Sequence, residues 1–205
     1  MTDGRTLTDF QKDALQEVGN IGIGHATTSL SQMVNKRVWI SIPDMKLLPL
    51  IEVPALVRNE DPVVGVILQL TGDAKGFLLL LLSKSTAKML IKLIIGESDE
   101  TKGFDEMEVS VLKELANIMG GTYISALSNF LSIKIGLSVP SQAYDMSDAI
   151  IDQVLGLMSA DVNDVLFLKT EFTINEERID GKILIFTDAD SLKNMLDAIN
   201  KLVGQ

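Results

Sequence analysis

The chain has 205 residues, of which 46% are hydrophobic, and it carries a net charge of −10 at neutral pH. This length and composition fit one large or two small globular domains and exclude a disordered chain. The acidic balance excludes a protein that tracks the phosphates of nucleic acid, and the absence of cysteine excludes disulfides and thiol catalysis. We therefore expect a soluble protein of the reducing cytoplasm, with no signal peptide and no membrane span.

The first half of the chain predicts a long helix, three strands and a short helix. The helix covers about Thr8–Val34, and the strand RVWISIP follows it and ends at Pro43. The runs VVGVILQL and GFLLLLL predict a hairpin around the turn GDAKG. The second of these strands is apolar throughout, which is typical of a strand buried on both faces. The segment TAKMLIKLIIG then predicts a short amphipathic helix.

The second half repeats this order of elements. A long helix covers about Asp105–Leu131, and the strand IKIGLSVP after it also ends at a proline. The strands DVLFLKTEFTI and GKILIFT are predicted to be joined by the turn NEERIDG, and SLKNMLDAINKL is the closing helix. In register, Asn20 aligns with Asn117, 97 residues later, whereas Met89 aligns with Met195, 106 residues later. The second copy therefore contains an insertion, around MSDAIIDQVLGLM.

An internal duplication of this kind predicts the fold class. We expect a single α/β (α+β) domain over residues 1–205, with one repeat at about 6–98 and the other at about 104–203. Each half has few apolar strands, so the halves are expected to share one sheet of about six strands. The result is a pseudo-two-fold domain in which two long helices carry the motifs described next.

Each long helix carries an acid–amide motif on one face. Asp13, Glu17 and Asn20 are spaced four and three residues apart, so they share a helix face. The equivalent residues in the second helix are Ser110, Glu114 and Asn117. A carboxylate can accept a proton, pair with lysine or bind a cation, whereas an amide can hold a water molecule in line with an electrophile. The alternative is an ordinary solvated stripe, but the match between two copies favours a function.

Five glycines interrupt the two helices, although each costs about 1 kcal/mol relative to alanine. Either another backbone packs closely against them, or a partner docks beside the acid–amide motifs. We expect the five glycines to thin the helix surface beside the motifs, as a docking partner would need. The five are Gly19, Gly22, Gly24, Gly120 and Gly121.

Other chemistry has little support in the sequence. His25 is the only histidine and has no cysteine or second histidine with which to share a metal. The segment GNIGIG lies within a helix rather than at a strand-to-helix turn, so it does not predict a phosphate loop. Carboxylates on consecutive turns of one helix seldom enclose magnesium. If the chain is an enzyme, its active site is completed by a partner.

The two motifs resemble the signature of the CheC/CheX/FliY phosphatases of bacterial chemotaxis. That signature is Asp or Ser, three residues, Glu, two residues, Asn, twenty-two residues and Pro. It occurs here as Asp13-Glu17-Asn20-Pro43 and as Ser110-Glu114-Asn117-Pro140. The resemblance covers the whole chain, because the length and the duplication also fit the CheC branch of the family.

The resemblance implies hydrolysis of the aspartyl phosphate of phosphorylated CheY. It implies that Asn20 and Asn117 orient the attacking water, while Glu17 and Glu114 pair with the active-site lysine of CheY. The chain would have no cofactor of its own, because CheY supplies Mg²⁺. Further contacts to CheY would come from Asp13 and Ser110.

The resemblance also implies a second partner, the receptor deamidase CheD, bound through a helix in the second half. The inserted segment is the best match, and we expect contacts from Asp148, Ile151 and Asp152, beside an apolar stripe of Ile150, Ile151, Val154 and Leu157. An amphipathic helix packed on its own sheet would show the same pattern. We expect a monomer that forms a heterodimer with CheD. The competing interpretations are an adaptor for CheD or for the flagellar switch with little phosphatase activity, and a structural switch subunit.

Overall fold

The computed structural model describes residues 7–158, 162–174 and 177–201. Within these ranges the chain forms one mixed α/β domain with a single sheet. The helices are α1 (Asp9–Val34), α2 (Val53–Val57, preceded by a 3-10 turn at Leu50–Glu52), α3 (Lys84–Ile95), α4 (Glu106–Leu131), α5 (Ser147–Leu157) and α6 (Ala189–Lys201). The strands are β1 (Val38–Pro49), β2 (Val63–Gly72), β3 (Gly76–Ser83), β4 (Ile135–Leu137), β5 (Ser141–Asp145), β6 (Asp164–Ile174) and β7 (Glu177–Thr187).

The sheet order reflects the duplication. The strands lie in the order β1-β6-β7-β3-β2-β4, with β5 also paired to β2, and the pairs are antiparallel. The first strand of each half pairs with the second strand of the other half, and the last strands, β3 and β7, meet in the middle. The order is therefore the same from either edge, as the expected pseudo-two-fold requires. Seven strands replace the expected six because the strand around Pro140 is split into β4 and β5.

The long helices begin and end close to the predicted residues, because residues at each end of the helix determine where it starts and stops. Thr8 caps α1 and Asp105 caps α4, each in a capping box with the residue three positions later. Each helix ends where the next residue adopts a left-handed conformation, at Asn35 (φ 49°) and Ser132 (φ 55°).

The sheet is covered on both faces. The long helices α1 and α4 pack against each other and, with α3 and α6, cover one face, while α2 and α5 cover the other. Strand β3 is buried along its length, and its alternate side chains enter the two cores: Leu78, Leu80 and Leu82 on the first face, and Phe77, Leu79 and Leu81 on the second. This confirms the prediction of a strand buried on both faces.

Packing inside the protein explains three of the five helix glycines. A Cβ atom built on Gly22 would lie 2.8 Å from the Cα atom of Tyr123, so this glycine lets α1 and α4 approach closely. Cβ atoms on Gly19 and Gly120 would lie 3.3 Å from the side chains of strand residues. Gly24 and Gly121 face open space, with no atom within 4 Å of a built Cβ. The expectation that all five glycines thin a docking surface is therefore wrong for Gly22, Gly19 and Gly120.

Two predicted boundaries are also wrong. Pro43 does not end its strand, since β1 continues to Pro49 through an irregularity in register between Ser41 and Asp44. Because β1 is an edge strand, a proline without an N–H donor can be accommodated at this irregularity.

The predicted turn NEERIDG belongs mostly to β7, which begins at Glu177; residues 175 and 176 lie outside the described ranges. Gly181 pairs with Thr170 inside the hairpin. A Cβ atom on Gly181 would lie 2.9 Å from the Thr170 hydroxyl, so this glycine permits close approach rather than a turn.

Candidate functional site

The two acid–amide motifs lie on the exposed sides of α1 and α4. No hydrogen bond or ion pair ties any of these six side chains to the described part of the chain. An interaction with a partner therefore requires no internal bond to be broken. The six exposed residues are Asp13, Glu17, Asn20, Ser110, Glu114 and Asn117. Their roles stay predictions.

Burial of the opposite helix face holds these side chains outward. In α1, Ala14, Leu15 and Val18 are buried on the inner side, interleaved with the exposed residues. In α4, the equivalent residues are Val111, which is half-buried, and Leu112 and Leu115, which are fully buried. Because each helix buries only one face, the carboxylate and the amide of each motif face away from the core.

A groove of about 650 Å³ runs between the two long helices, beside both motifs. Ile21, which directly follows Asn20, contributes to one wall and is 44% exposed. Gly121, one turn after Asn117, contributes to the other wall. The sequence did not predict this groove, because it depends on how α1 and α4 cross. The remaining lining residues are His25, Ser29, Thr122, Ser125, Ala126, Asn129 and Phe130.

The histidine in this groove is not part of a metal-binding cluster within the described part of the chain. His25 is exposed, and no group of three or more His, Cys, Asp or Glu side chains among the described residues is arranged to hold a metal ion. Also among the described residues, no helix is both long and apolar enough to cross a bilayer.

The inserted segment forms α5, and its apolar side is internal. Ile150, Ile151 and Val154 are 3% exposed or less and join the second core. The expectation that Ile151 contacts a partner is therefore corrected, since the sheet already covers its side chain. Asp148 and Asp152 are exposed on the outer side of α5. Leu157 was predicted in the apolar stripe, but it is 55% exposed at the end of the helix.

A second cavity, also about 650 Å³, contains three lysines that no sequence motif connects. Lys46 pairs with Asp44 at 2.7 Å, and Lys169 pairs with Glu171 at 3.2 Å. Lys182 donates a hydrogen bond to the carbonyl oxygen of Leu56 at 2.9 Å, and burial lowers its pKa. The lysines come from strands that only the sheet topology brings together, so spacing in the sequence carries no signal for them.

A comparison with known proteins identifies the same two segments of the chain that carry the acid–amide motifs. A model of the CheC-like family matches residues 10–47 and 107–142, and these two segments contain both acid–amide motifs and both signature prolines. The crystal structure of FliY from Thermotoga maritima superposes with a TM-score of 0.79 at 27% identity, covering 96% of this chain and 99% of that one.

Two curated proteins of Bacillus subtilis (strain 168) show the same relation in sequence. The CheY-P phosphatase CheC is 30% identical over 199 residues, which cover 94% of this chain and 95% of that protein. The flagellar motor switch phosphatase FliY is 30% identical over 138 residues, which cover 65% of this chain and 35% of that protein. With both halves matched and nearly the full length aligned, this chain belongs to the CheC-like family.

Proposed function

We propose that this chain is a phosphatase of the cytoplasm that hydrolyses the aspartyl phosphate of phosphorylated CheY. One observation carries the proposal: an exposed acid–amide motif occurs at the same place in each half of a chain that aligns with a CheY-P phosphatase over 94% of its length. Side chains that stand outward on a helix can reach a reactive group held in the cleft of another folded protein.

The proposed reaction is attack of water on phosphorus. The bond between phosphorus and the aspartyl oxygen breaks, the carboxylate leaves, and the proton of the water passes to the phosphate product. The amide of Asn20 or Asn117 has a donor and an acceptor on one plane, so it can hold the water in line with the breaking bond. An amide is neither a base nor a nucleophile, so its contribution is placement.

The carboxylates have a separate task in this proposal. Glu17 and Glu114 each lie one turn before the amide on the same exposed face, where they can pair with a lysine in the active site of CheY. Such a pair would fix the angle at which the helix enters that site. Asp13 can add a charged contact and Ser110 only a hydrogen bond. The magnesium ion would be held by CheY, and this chain would supply no ligand to it.

We also propose that α5 forms part of a contact with the deamidase CheD, in a heterodimer of one copy of each chain. Asp148 and Asp152 supply exposed negative charge, and the exposed Leu157 supplies an apolar contact at the end of the helix. The first repeat has only the short α2 between its first and second strands. The contact would therefore be specific to the second half.

An Asp148→Lys variant is expected to weaken CheD binding by about tenfold or more, because the change reverses a charge at the contact. Titration of labelled CheD measures the loss. Asp197→Lys is the matched control, since Asp197 is exposed on α6, on the other face of the sheet. Equal affinity of the Asp148→Lys variant and the parent for CheD would contradict the proposed contact.

The decay of phosphorylated CheY in the presence of magnesium tests the proposed function. Substoichiometric amounts of this chain are expected to shorten the lifetime of the phosphate, because a phosphatase turns over. An adaptor would bind CheY or CheD without changing that lifetime. Unchanged decay at amounts of the chain that saturate binding would overturn the proposal in favour of the adaptor.

A further inference from the structure

A side-chain contact joins the first turn of each long helix to the closing helix of the other half, and we call each of these two contacts a tie. Gln11 in α1 donates from Nε2 to the Oδ1 atom of Asn200 in α6, at 3.0 Å. Glu108 is the counterpart of Gln11, 97 residues later, and it contacts Lys88 in α3. Gln11 and Glu108 both complete the capping box of their own helix. Both contacts join a long helix to the closing helix of the other half, but at different places in it, since Lys88 aligns with Asn194 rather than with Asn200. One contact is a neutral amide pair and the other is an ion pair.

The ion pair is buried and fully partnered. The side chain of Lys88 is 1% exposed and that of Glu108 is 7% exposed. Lys88 Nζ donates to both carboxylate oxygens of Glu108, at 2.7 and 2.9 Å, and to the carbonyl oxygen of Gly103 at 2.6 Å. It also lies 4.7 Å from the centre of the Phe104 ring. A charge buried with this many partners holds a defined geometry, and removing one partner is costly.

Glu108 connects this ammonium group to the start of α4. Its carboxylate accepts hydrogen bonds from the hydroxyl of Ser98 at 2.5 Å and from the backbone N–H of Asp105 at 3.1 Å. Burial raises the pKa of Glu108, but the hydrogen bonds from Lys88, Ser98 and Asp105 outweigh it and leave the pKa below its ordinary value. The carboxylate is therefore charged at neutral pH, and the tie persists there.

The second acid–amide motif lies between this tie and the helix crossing. Glu114 and Asn117 follow Glu108 by six and nine residues, so Asn117 lies about 14 Å further along the axis of α4. Tyr123, where α4 crosses α1 at Gly22, lies beyond them. The motif is thus on a helical segment that is fixed at both ends. Helix ends without such contacts unfold locally, and local unfolding would leave the amide of Asn117 without a fixed position.

We propose that Lys88 and Glu108 are positioning residues for the second motif alone, and that the Gln11–Asn200 bond has the same role for the first. The inference rests on the proposed phosphatase function. It predicts that breaking one tie impairs one site and leaves the other site at its normal rate. A residue needed only for general stability would impair both sites together.

Single-site backgrounds make this selectivity measurable. Asn20→Ala leaves only the second site intact, and Asn117→Ala leaves only the first. Lys88→Met in the Asn20→Ala background is expected to lower the maximal rate of CheY-P hydrolysis about tenfold, as is usual for residues that orient a functional group. In the Asn117→Ala background the same substitution is expected to leave the rate unchanged. Asn200→Ala should show the reverse selectivity.

A double substitution separates positioning from stability. Lys88→Met with Glu108→Gln removes both charges and keeps the capping box, because glutamine already fills this place in α1. The double variant is expected to recover stability, since no unpaired charge remains buried. Its second-site rate should stay low, because the tie is still absent. Lys92→Met is the control, since Lys92 is exposed one turn further along α3.

Hydrogen exchange supplies a readout that does not depend on activity. Amides in residues 109–117 should exchange faster in the Lys88→Met variant, while those in residues 12–20 should not. Equal rate losses in both backgrounds, or none in either, would overturn the positioning role. If instead the two asparagine substitutions together leave hydrolysis intact, the proposed role of the amides fails, whereas a parent chain that does not hydrolyse phosphorylated CheY overturns the proposed function. In either case the exchange data still decide whether the tie orders α4.

Discussion

The Asn20→Ala/Asn117→Ala double variant is expected to lose about a hundredfold or more of its activity on phosphorylated CheY, the usual cost of removing one well-placed group. Both side chains are exposed and make no bond within the described chain. Their removal therefore takes nothing from the core, and the variant should melt no lower than the parent, since alanine favours a helix more than asparagine does. Phosphate release measured beside a thermal melt checks both parts of this expectation.

The single variants show whether both halves work. If each site acts independently, Asn20→Ala and Asn117→Ala should each keep part of the activity, and the two remaining activities should add to that of the parent. Asn194→Ala is the matched control, because Asn194 is also an exposed asparagine on a helix, α6, but lies outside both motifs. A control variant that loses as much activity as the double variant would contradict the assignment of the amides.

Gly22→Ala is expected to destabilise the protein by about 1–3 kcal/mol, the usual cost of an added methyl group in a packed interior. The new Cβ atom would lie 2.8 Å from the Cα atom of Tyr123 and 3.2 Å from the carbonyl oxygen of Thr122. Backbone atoms cannot rotate away, so α1 and α4 would have to separate. Urea unfolding of the variant measures the change in the free energy of unfolding.

Gly24→Ala is the matched control for this prediction. Gly24 is in the same helix, but a Cβ atom there would have no neighbour within 4 Å. Alanine should therefore stabilise α1 by about 1 kcal/mol, through helix propensity alone. The two substitutions should shift the urea midpoint in opposite directions. A shift in the same direction would mean that the helix crossing does not determine the cost at Gly22.

Features coded by neighbouring residues could be predicted from the sequence. The ends of α1 and α4 follow from capping boxes at Thr8 and Asp105, which are visible as local patterns. The β2–β3 hairpin follows from two apolar runs around a glycine-rich turn. The exposed faces that carry Asn20 and Asn117 follow from helical periodicity, because apolar residues recur at three- and four-residue intervals on the opposite face of each helix.

Features that depend on distant parts of the chain could not be predicted. Gly22 and Gly24 look alike in the sequence, and only the crossing of α1 and α4 distinguishes them. Ile151 fits a partner contact as well as a core position until the sheet beneath α5 is known. The contact between Lys88 and Glu108 likewise depends on how α3 packs on α4. In each case, tertiary packing decides among possibilities that local pattern leaves open.

The most direct test compares the parent chain with the Asn20→Ala/Asn117→Ala variant. Each is added in saturating amount to phosphorylated CheY, and the lifetime of the phosphate is measured in a single turnover. Saturation removes differences in affinity, so the lifetime reports the chemical step alone. With the parent we expect rapid decay; with the variant, bound CheY should lose its phosphate about as slowly as free CheY does. Equally rapid decay with both proteins would contradict the claim that two exposed amides place the attacking water.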